Sequence, residues 1–216
     1  MGNGIAKAER LLGAALEKER ATPYKYFRGV RDLLEQLPVS VIDEVVERLL
    51  EAYREECTVY LFGNGGSAAL ASHAACDLGK GTTAVSKKPF RVVSLTDNVS
   101  LITAWANDTS YENIFAAQLR PFIQERDIAF AISGSGNSPN VLNGLSAARD
   151  GGASTIGLTG FRGGKMKALC DLCITVPSEN MQYIEDSHLC TMHAVFLAFR
   201  QCLHDMSEPR ARGVPA

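Results

Sequence analysis

Two segments of this 216-residue chain share one pattern: an apolar stretch of strand length runs into a loop of Gly, Ser and Asn that opens into a helix. In the first segment, the stretch 58–62 precedes the loop 63–67. In the second, the stretch 128–132 precedes the loop 133–138, and Pro139 occupies a favourable first helical position. Such loops at strand carboxyl ends are typical of a parallel α/β sheet, so the repeated pattern strongly limits the folds available to the chain.

Apolar periodicity predicts three amphipathic helices at the start of the chain. After them, predicted strands alternate with predicted helices along the rest of the sequence. The predicted helices cover residues 5–20, 24–36, 39–56, 67–78, 99–105, 111–124, 138–150, 164–169 and 181–204, and the predicted strands cover 58–62, 91–95, 127–132, 154–158 and 172–176. This order predicts an α/β fold with a doubly wound, mainly parallel five-stranded sheet. We expect a helical preface over 1–56, one α/β domain over 57–205 and a loose polar tail over 206–216.

Charge and apolar content argue against several classes of partner. The net charge is −2 and no long basic stripe is present, so we expect neither nucleic acid nor an anionic membrane as a partner. No run approaches the roughly 18 to 20 apolar residues of a membrane span. The N-terminus lacks a signal-peptide pattern and the six cysteines lie mostly in apolar contexts, which predicts a reduced, cytoplasmic protein. We interpret Cys170 and Cys173 as buried thiols, because no second pair completes a zinc site.

The two glycine-rich loops are candidate anion sites. Backbone N–H groups at a helix start have no intrahelical partner and carry the positive end of the helix dipole. Glycines let the backbone approach a ligand, and serine hydroxyls add donors. Two loops of this kind in one chain predict that the ligand is a phosphorylated small molecule.

Two predicted helices carry the titratable side chains of a candidate site. His73 and Asp77 are spaced i, i+4 and share a face of the helix that follows the first loop. Glu185 and His193 lie on roughly one side of the last helix, because eight residues span slightly more than two turns. Two imidazoles and two carboxylates can bind a divalent metal such as zinc, or can transfer protons without one, and the residue types allow both.

Structural interpretations compete for some of these residues. His73 alone would fit a core histidine, and His188 fits a helix-surface pair with Glu185. Asn107 and Asp108 fit a helix stop followed by an N-cap. The first loop also fits a permissive dinucleotide-binding pattern. A dinucleotide-binding fold needs an acidic residue about 20 residues after this loop, and the sequence has none there.

The chain resembles the sugar isomerase (SIS) domain proteins, and among them the phosphoheptose isomerases, which convert sedoheptulose 7-phosphate to a heptose 7-phosphate. The resemblance runs from about residue 35 to residue 204, so it assigns 57–205 as a SIS domain. Its motifs are 63–68 (GNGGSA), 106–108 (AND), 133–138 (SGSGNS), 158–160 (LTG) with 163–165 (GGK), and the last-helix pattern Glu185-x-x-His188-x4-His193.

The resemblance implies a role for each matching residue. Substrate-binding residues would be Asn64, Gly65, Gly66, Ser67, Asn107, Asp108, Ser133, Gly134, Ser135, Ser138 and Glu185, with the phosphate held by the serines of the second loop. His73 and His193 would be metal ligands or acid and base groups. The chain departs from the family at two positions. Asp77 stands where the family usually has Glu, and Glu185 where it usually has Gln.

The activity that we expect is aldose–ketose isomerisation of a phosphorylated sugar through a cis-enediol. Asp77 or Glu185 would remove the proton beside the carbonyl, and His193 would protonate the carbonyl oxygen. We expect one zinc per subunit, bound by His73, Asp77, Glu185 and His193. The alternative is a non-catalytic phosphosugar-binding regulator or adaptor, which the presence of His193 disfavours.

We also expect a homotetramer. Three amphipathic helices precede the sheet and offer more apolar surface than one small domain can cover. The resemblance likewise implies that N-terminal helices form a tetramer core and that neighbouring subunits complete the site.

Overall fold

The protein is described by a computed structural model that covers residues 21–86 and 88–207. The helix predicted over 5–20, and the part of the predicted tail after residue 207, lie outside these described residues. Within the described ranges, no helix combines the length and the apolar character needed to cross a bilayer.

Five strands form one sheet in which every neighbouring pair is parallel. The strands are β1 (Thr58–Gly63), β2 (Arg91–Ser94), β3 (Ile128–Ser133), β4 (Ser154–Thr159) and β5 (Leu172–Thr175), and their order across the sheet is β2-β1-β3-β4-β5. The α-helices are α1 (Pro23–Leu34), α2 (Val39–Arg54), α3 (Gly66–Gly79), α4 (Val99–Asp108), α5 (Ile114–Leu119), α6 (Pro139–Asp150) and α7 (Met181–Ser207). The predicted fold class is therefore confirmed.

The sheet has a hydrophobic core on each face. Along β1, Val59 and Leu61 pack on the side of α2, α3 and α7, whereas Tyr60 and Phe62 pack on the side of α5 and α6. Side chains alternate between the faces of a strand, so an apolar run that fills both faces is what a sheet covered on both sides requires.

Three predicted helix boundaries differ from the structure by three residues or more. The helix predicted over 111–124 is a 3-10 turn at Tyr111–Asn113 followed by α5. Helix α5 ends before Pro121, because proline has no N–H group to continue the helical hydrogen bonds. Helix α4 continues through Asp108, so Asn107 and Asp108 form its last turn rather than a stop and an N-cap. Helix α7 extends three residues beyond the predicted end, to Ser207.

Candidate active site

Both glycine-rich loops lie at the carboxyl edge of the sheet, on adjacent strands β1 and β3. The chain leaves β1 toward β2 on one side of the sheet, and leaves β3 toward β4 on the other. Helix α3 packs on one face and α6 on the opposite face. Neighbouring connections that diverge in this way open a crevice, which is where ligands bind in open parallel α/β sheets.

The loop 133–138 presents serine hydroxyls and backbone N–H groups to this crevice. The N–H of Gly136 donates to Ser133 Oγ at 3.2 Å, and Ser133 Oγ lies 3.5 Å from Ser138 Oγ. Ser138 is the N-cap of α6, yet its hydroxyl makes no capping hydrogen bond, so it remains available to a ligand. A carboxylate or phosphate at this helix start would meet both the Ser138 hydroxyl and the positive end of the helix dipole.

A second glycine-rich turn supports the loop from behind. Gly136 has φ +63°, and a Cβ added there would lie 2.2 Å from the carbonyl oxygen of Gly163. The N–H of Gly160 donates to the carbonyl of Gly134, and that of Met166 donates to the carbonyl of Gly136, each at 2.9 Å. Position 136 therefore requires glycine, both because of its positive φ and because the carbonyl of Gly163 packs so closely against it.

The loop 63–67 begins α3 and is tied to α6 by a pair of amides. Asn64 Nδ2 donates to Asn140 Oδ1 at 2.9 Å, and Asn140 Nδ2 donates back to Asn64 Oδ1 at 2.8 Å. The Tyr111 hydroxyl also donates to Asn64 Oδ1, at 3.0 Å. Sequence reasoning missed Asn140 and Tyr111, although Asn140 directly follows the proline that begins α6. This network fixes the spacing between the two loops.

Helices α3 and α7 bring two histidines and an aspartate together. His73 Nε2 lies 3.0 Å from His193 Nε2 and 3.2 Å from Asp77 Oδ2, and His193 Nε2 lies 3.9 Å from the same oxygen. Two imidazole nitrogens this close must share a proton or face a cation, because two lone pairs would repel each other. Ligand atoms about 2.0 to 2.1 Å from a tetrahedral zinc lie about 3.3 Å apart, so the donor types and spacings of this cluster fit the metal.

Glu185 stands beside this cluster without joining it. Among the described residues, the group whose ligand atoms all lie within 4.8 Å of one another contains His73, Asp77 and His193. The Glu185 carboxylate instead lies against the start of α3, where a Cβ added to Gly66 would be 3.1 Å from Glu185 Oε1. Three of the four predicted ligands are thus brought together, and the fourth is at the entrance of the same site.

A cavity of about 240 Å³ opens between the start of α3 and the first turns of α7. Its lining includes Gly66, Ser67, His73 and Glu185 from the predicted site, and also Asp186, His188 and Leu189. Helix α7 also contacts the loop 133–138, since a Cβ on Gly134 would lie 2.5 Å from Met181 Sδ. One helix therefore packs against the phosphate-type loop and contributes residues to both the cavity and the histidine cluster.

His188 was predicted as a helix-surface partner of Glu185, and that interpretation was wrong. Its side chain is 1% exposed, since it falls on the face of α7 that packs on the sheet. Burial lowers the imidazole pKa to about 4, while a hydrogen bond with the Thr159 backbone acts in the opposite direction. The residue lines the cavity, and its Nε2 atom has no hydrogen-bond partner in the structure. A buried polar atom left in this state costs about 1 to 3 kcal/mol.

Helix α1 reaches the rim of the site. The Tyr26 hydroxyl donates to Asp186 Oδ2 at 2.6 Å, and this bond raises the pKa of Tyr26 to about 12. Gly29 allows the close approach of α1 to α7, since a Cβ there would lie 2.6 Å from the Tyr183 hydroxyl. The helical preface is thus physically connected to a residue that lines the cavity.

Asn107 and Asp108 are not among the residues that line the cavity. Both are exposed at the end of α4, where Asn107 Nδ2 donates to Asp108 Oδ1 at 2.8 Å. In the single chain they face solvent, so their predicted contact with substrate requires another subunit or a movement of α4.

Comparison with known proteins agrees with this architecture. A family model described as SIS domain matches residues 25–160. A phosphoheptose isomerase of Pelobacter propionicus is 34% identical over 174 residues, which cover 81% of this chain and 92% of that protein. One from Rhodospirillum rubrum is 44% identical over 135 residues, covering 62% and 71%. The structure of a phosphoheptose isomerase from Neisseria gonorrhoeae aligns with a TM-score of 0.75 and 27% identity over 90% of this chain and 98% of that one. This chain therefore belongs to the SIS domain family.

Proposed function

We propose that the protein is a phosphosugar isomerase that converts sedoheptulose 7-phosphate, or a close relative, to an aldose phosphate. The observation that carries this proposal is a phosphate-type loop at the carboxyl end of β3 together with a cluster of two histidines and a carboxylate beside a cavity, between α7 and the helix that begins at the end of the adjacent strand β1. The phosphoheptose isomerases that the chain resembles at 34% and 44% identity support the same reaction.

In this proposal the phosphate binds at the loop 133–138, held by Ser133, Ser135 and Ser138 and by the start of α6. Residues 64–67 line the sugar chain, and Asn107 and Asp108 bind sugar hydroxyls after assembly. The carbonyl end of the sugar then reaches toward His73 and His193. This orientation of the sugar phosphate follows from the dipole of α6, whose positive end attracts the negatively charged phosphate of the ligand.

The reaction moves one proton between neighbouring carbons. Its removal falls to one of two carboxylates: Glu185, which lines the cavity, or Asp77, which contacts the two imidazoles and stands where the family usually has Glu. Electrons from the broken C–H bond form the enediol as His193 protonates the carbonyl oxygen. The base then returns the proton to the adjacent carbon while the other enediol hydroxyl gives its proton back to His193, which forms the new carbonyl and completes the isomerisation. Acid and base groups of this kind each contribute about 10² to 10⁴ in rate.

We further propose that His73, Asp77 and His193 bind one zinc per subunit, with Glu185 as a fourth ligand when its side chain turns from Gly66. A cation there would polarise the carbonyl oxygen in place of proton donation by His193, because a ring nitrogen that binds zinc carries no proton. In the isolated chain the His73 and His193 side chains are 49% and 46% exposed. This exposure supports completion of the site by a neighbouring subunit of a homotetramer. The six free thiols support the cytoplasm as its compartment.

The test of the reaction is turnover and binding on a panel of ketose phosphates from pentulose to octulose. We expect aldose formation from the heptulose phosphate, with incorporation of solvent deuterium at the carbon that receives the proton. Loss of this incorporation in Glu185→Gln would assign the base to Glu185, whereas its loss in Asp77→Asn alone would assign the base to Asp77. If sugar phosphates bind but no product forms, the proposed enzymatic activity is wrong and a phosphosugar-binding regulator is favoured.

The test of the metal is elemental analysis of the purified protein. His193→Ala should lose both zinc and activity, whereas His204→Ala, on the same helix but outside the cluster, should retain both. A metal-free wild type with full turnover in the presence of a chelator would leave only acid and base roles for these residues.

A further inference from the structure

Three side chains from separate elements meet at the loop 63–67, and the proposed reaction gives two of them no role. Asn64 follows β1, Tyr111 begins the 3-10 turn before α5, and Asn140 lies in the first turn of α6. The amide of Asn140 and the hydroxyl of Tyr111 both donate to Asn64 Oδ1, at 2.8 Å and 3.0 Å. Asn140 is 2% exposed, whereas Tyr111 is 55% exposed. Asn64 is therefore the centre of a network that joins the interior to the surface.

The backbone of α6 determines which way the two amides point. The N–H of Val141 donates to Asn140 Oδ1 at 3.0 Å, and a backbone N–H can only donate. Since that oxygen also lies 2.9 Å from the Asn64 side chain, the atom that faces it there must be a donor, Asn64 Nδ2. The other amide atom of Asn64 is then its oxygen, which accepts from Asn140 Nδ2 and from the Tyr111 hydroxyl.

Asn64 keeps one unused donor in this arrangement. Its Oδ1 atom accepts two hydrogen bonds, which fills both lone pairs of the oxygen. One Nδ2 hydrogen is donated to Asn140 Oδ1, and the second is bonded to no atom of the residues that the structure describes. Asn64 is partly exposed, and a Cβ added to the adjacent Gly65 would meet nothing within 4 Å. The loop therefore has open space beside this donor.

The position of Asn64 connects the two parts of the proposed site. Its partner Asn140 follows Ser138 by two residues, at the helix start where the phosphate is assigned. On the other side, Gly66 and Ser67 come directly after the same loop position and line the cavity. A ligand that occupies both places lies alongside Asn64, and the oxygens of a sugar phosphate are hydrogen-bond acceptors.

We propose that Tyr111 is a positioning residue, which together with Asn140 orients the Asn64 amide so that its free Nδ2 hydrogen donates to an oxygen of the bound sugar phosphate. Without the Tyr111 bond, the oxygen of the partly exposed amide loses one of its two donors and the side chain is held less firmly. The inference rests on the proposed function, because it takes the ligand from there. It adds a turn outside both glycine-rich loops to the groups that determine affinity.

Calorimetric titration with the best-bound ketose phosphate tests this role without depending on turnover. Tyr111→Phe removes one hydroxyl from an exposed side chain, a change that elsewhere on a protein surface has little effect. We expect the variant to bind about 3 to 10 times more weakly than the wild type, with its thermal stability nearly unchanged. Tyr24→Phe alters an exposed tyrosine of α1 outside the network and should bind like the wild type. Asn64→Ala should weaken binding about tenfold.

A double-mutant cycle shows whether Tyr111 acts through Asn64. In the Asn64→Ala background, Tyr111→Phe should change the affinity by less than about twofold, because no amide is left to orient. An equal loss in both backgrounds would mean that Tyr111 contacts the ligand itself. Unchanged affinity with lower thermal stability would mean that its hydrogen bond is only structural. Either result overturns the proposal.

Two further outcomes are separated by the same measurements. Should Asn64→Ala fail to fold, Asn64→Ser replaces it in the cycle, because its hydroxyl gives the buried Asn140 a partner but offers no amide to orient. A wild type that binds no sugar phosphate would overturn the proposed function and this inference together. Binding without turnover would overturn only the proposed reaction, since the cycle is measured by binding.

Discussion

At the scale of single residues, Ser138 offers a direct test of the phosphate site. Its hydroxyl lies at the start of α6 and makes no capping bond, so removing it takes nothing from the helix itself. We expect Ser138→Ala to weaken binding of a sugar phosphate by about 1 to 3 kcal/mol, the usual value for a hydrogen bond to a charged group. Calorimetric titration of the purified variant provides the measurement. Ser146→Ala, an exposed serine on the same helix, should bind like the wild type.

The same titration with an unphosphorylated sugar checks the assignment. Its affinity should be unaffected by Ser138→Ala, because the hydroxyl is assigned to the phosphate alone. An equal loss for both sugars would place Ser138 at the sugar chain instead. Ser135→Ala should show a comparable loss, with an added structural effect, because Ser135 Oγ accepts a hydrogen bond from the N–H of Asn137.

His188 makes the stability of the fold depend on pH. Its pKa is about 4 in the folded chain, against 6.5 for an unperturbed histidine. As the pH falls from 7 to 5, the unfolded chain takes up a proton at this residue and the folded chain does not. Acid therefore favours the unfolded state, and we expect His188 to lower the free energy of unfolding by about 2 kcal/mol over this interval.

Urea denaturation at pH 7 and pH 5 measures this effect. Other groups titrate over the same range, so the comparison is with His188→Gln, which lacks the titrating ring. The variant should lose about 2 kcal/mol less than the wild type between the two pH values. An identical loss in both proteins would show that the buried imidazole contributes no pH dependence.

At the scale of elements, the loop between β3 and α6 is held by its packing against the turn 160–164. We expect Gly136→Ala to destabilise the protein by about 1 to 3 kcal/mol, because the positive φ and the carbonyl of Gly163 exclude a Cβ. Sugar phosphate binding should weaken as well, since the loop cannot keep its shape.

Gly79→Ala is the matched control at the end of α3. A Cβ there meets nothing within 4 Å, so alanine should stabilise the helix by about 0.5 to 1 kcal/mol. Thermal denaturation of the two variants gives the comparison. If both glycines tolerate alanine equally, packing against Gly163 does not hold the phosphate-type loop.

At the scale of the whole molecule, the exposed apolar surface differs from the one that the sequence suggests. The stripe on α2 is covered within the chain, where Val45 and Leu49 are fully buried. Helix α4, by contrast, has no buried residue, and Leu101 and Trp105 line an open groove of about 530 Å³ beside the edge strand β2. Phe27 on α1 is also exposed. These faces are where we expect subunits to meet.

Sedimentation at micromolar concentration should therefore show a tetramer for the wild type. Leu101→Glu should shift the protein to smaller species, because a charge in the groove must be desolvated on assembly. Ser100→Glu adds the same charge to the same helix but outside the groove, and should sediment as the wild type does. A monomeric wild type would contradict the tetramer, and identical behaviour of the two variants would exclude α4 from the interface.

The sequence by itself determined the fold class and the chemical character of the site. Alternation of apolar strands with amphipathic helices leaves few arrangements other than a parallel α/β sheet, and the loops 63–67 and 133–138 follow strands whose carboxyl ends must share an edge. The i, i+4 spacing of His73 and Asp77 is likewise a local property of a helix, and the structure keeps both side chains together.

Only the tertiary structure decided which side chains meet across elements. The sequence predicted the helix α7 and placed Glu185 and His193 on roughly one side of it, but the rotation of the helix on the sheet buried His188 and left the Glu185 carboxylate at Gly66. The pairing of Asn64 with Asn140 depends on the separation of two loops that are 76 residues apart in the chain. Such contacts arise from the packing of whole elements, and residue types and spacing along a single helix do not specify that packing.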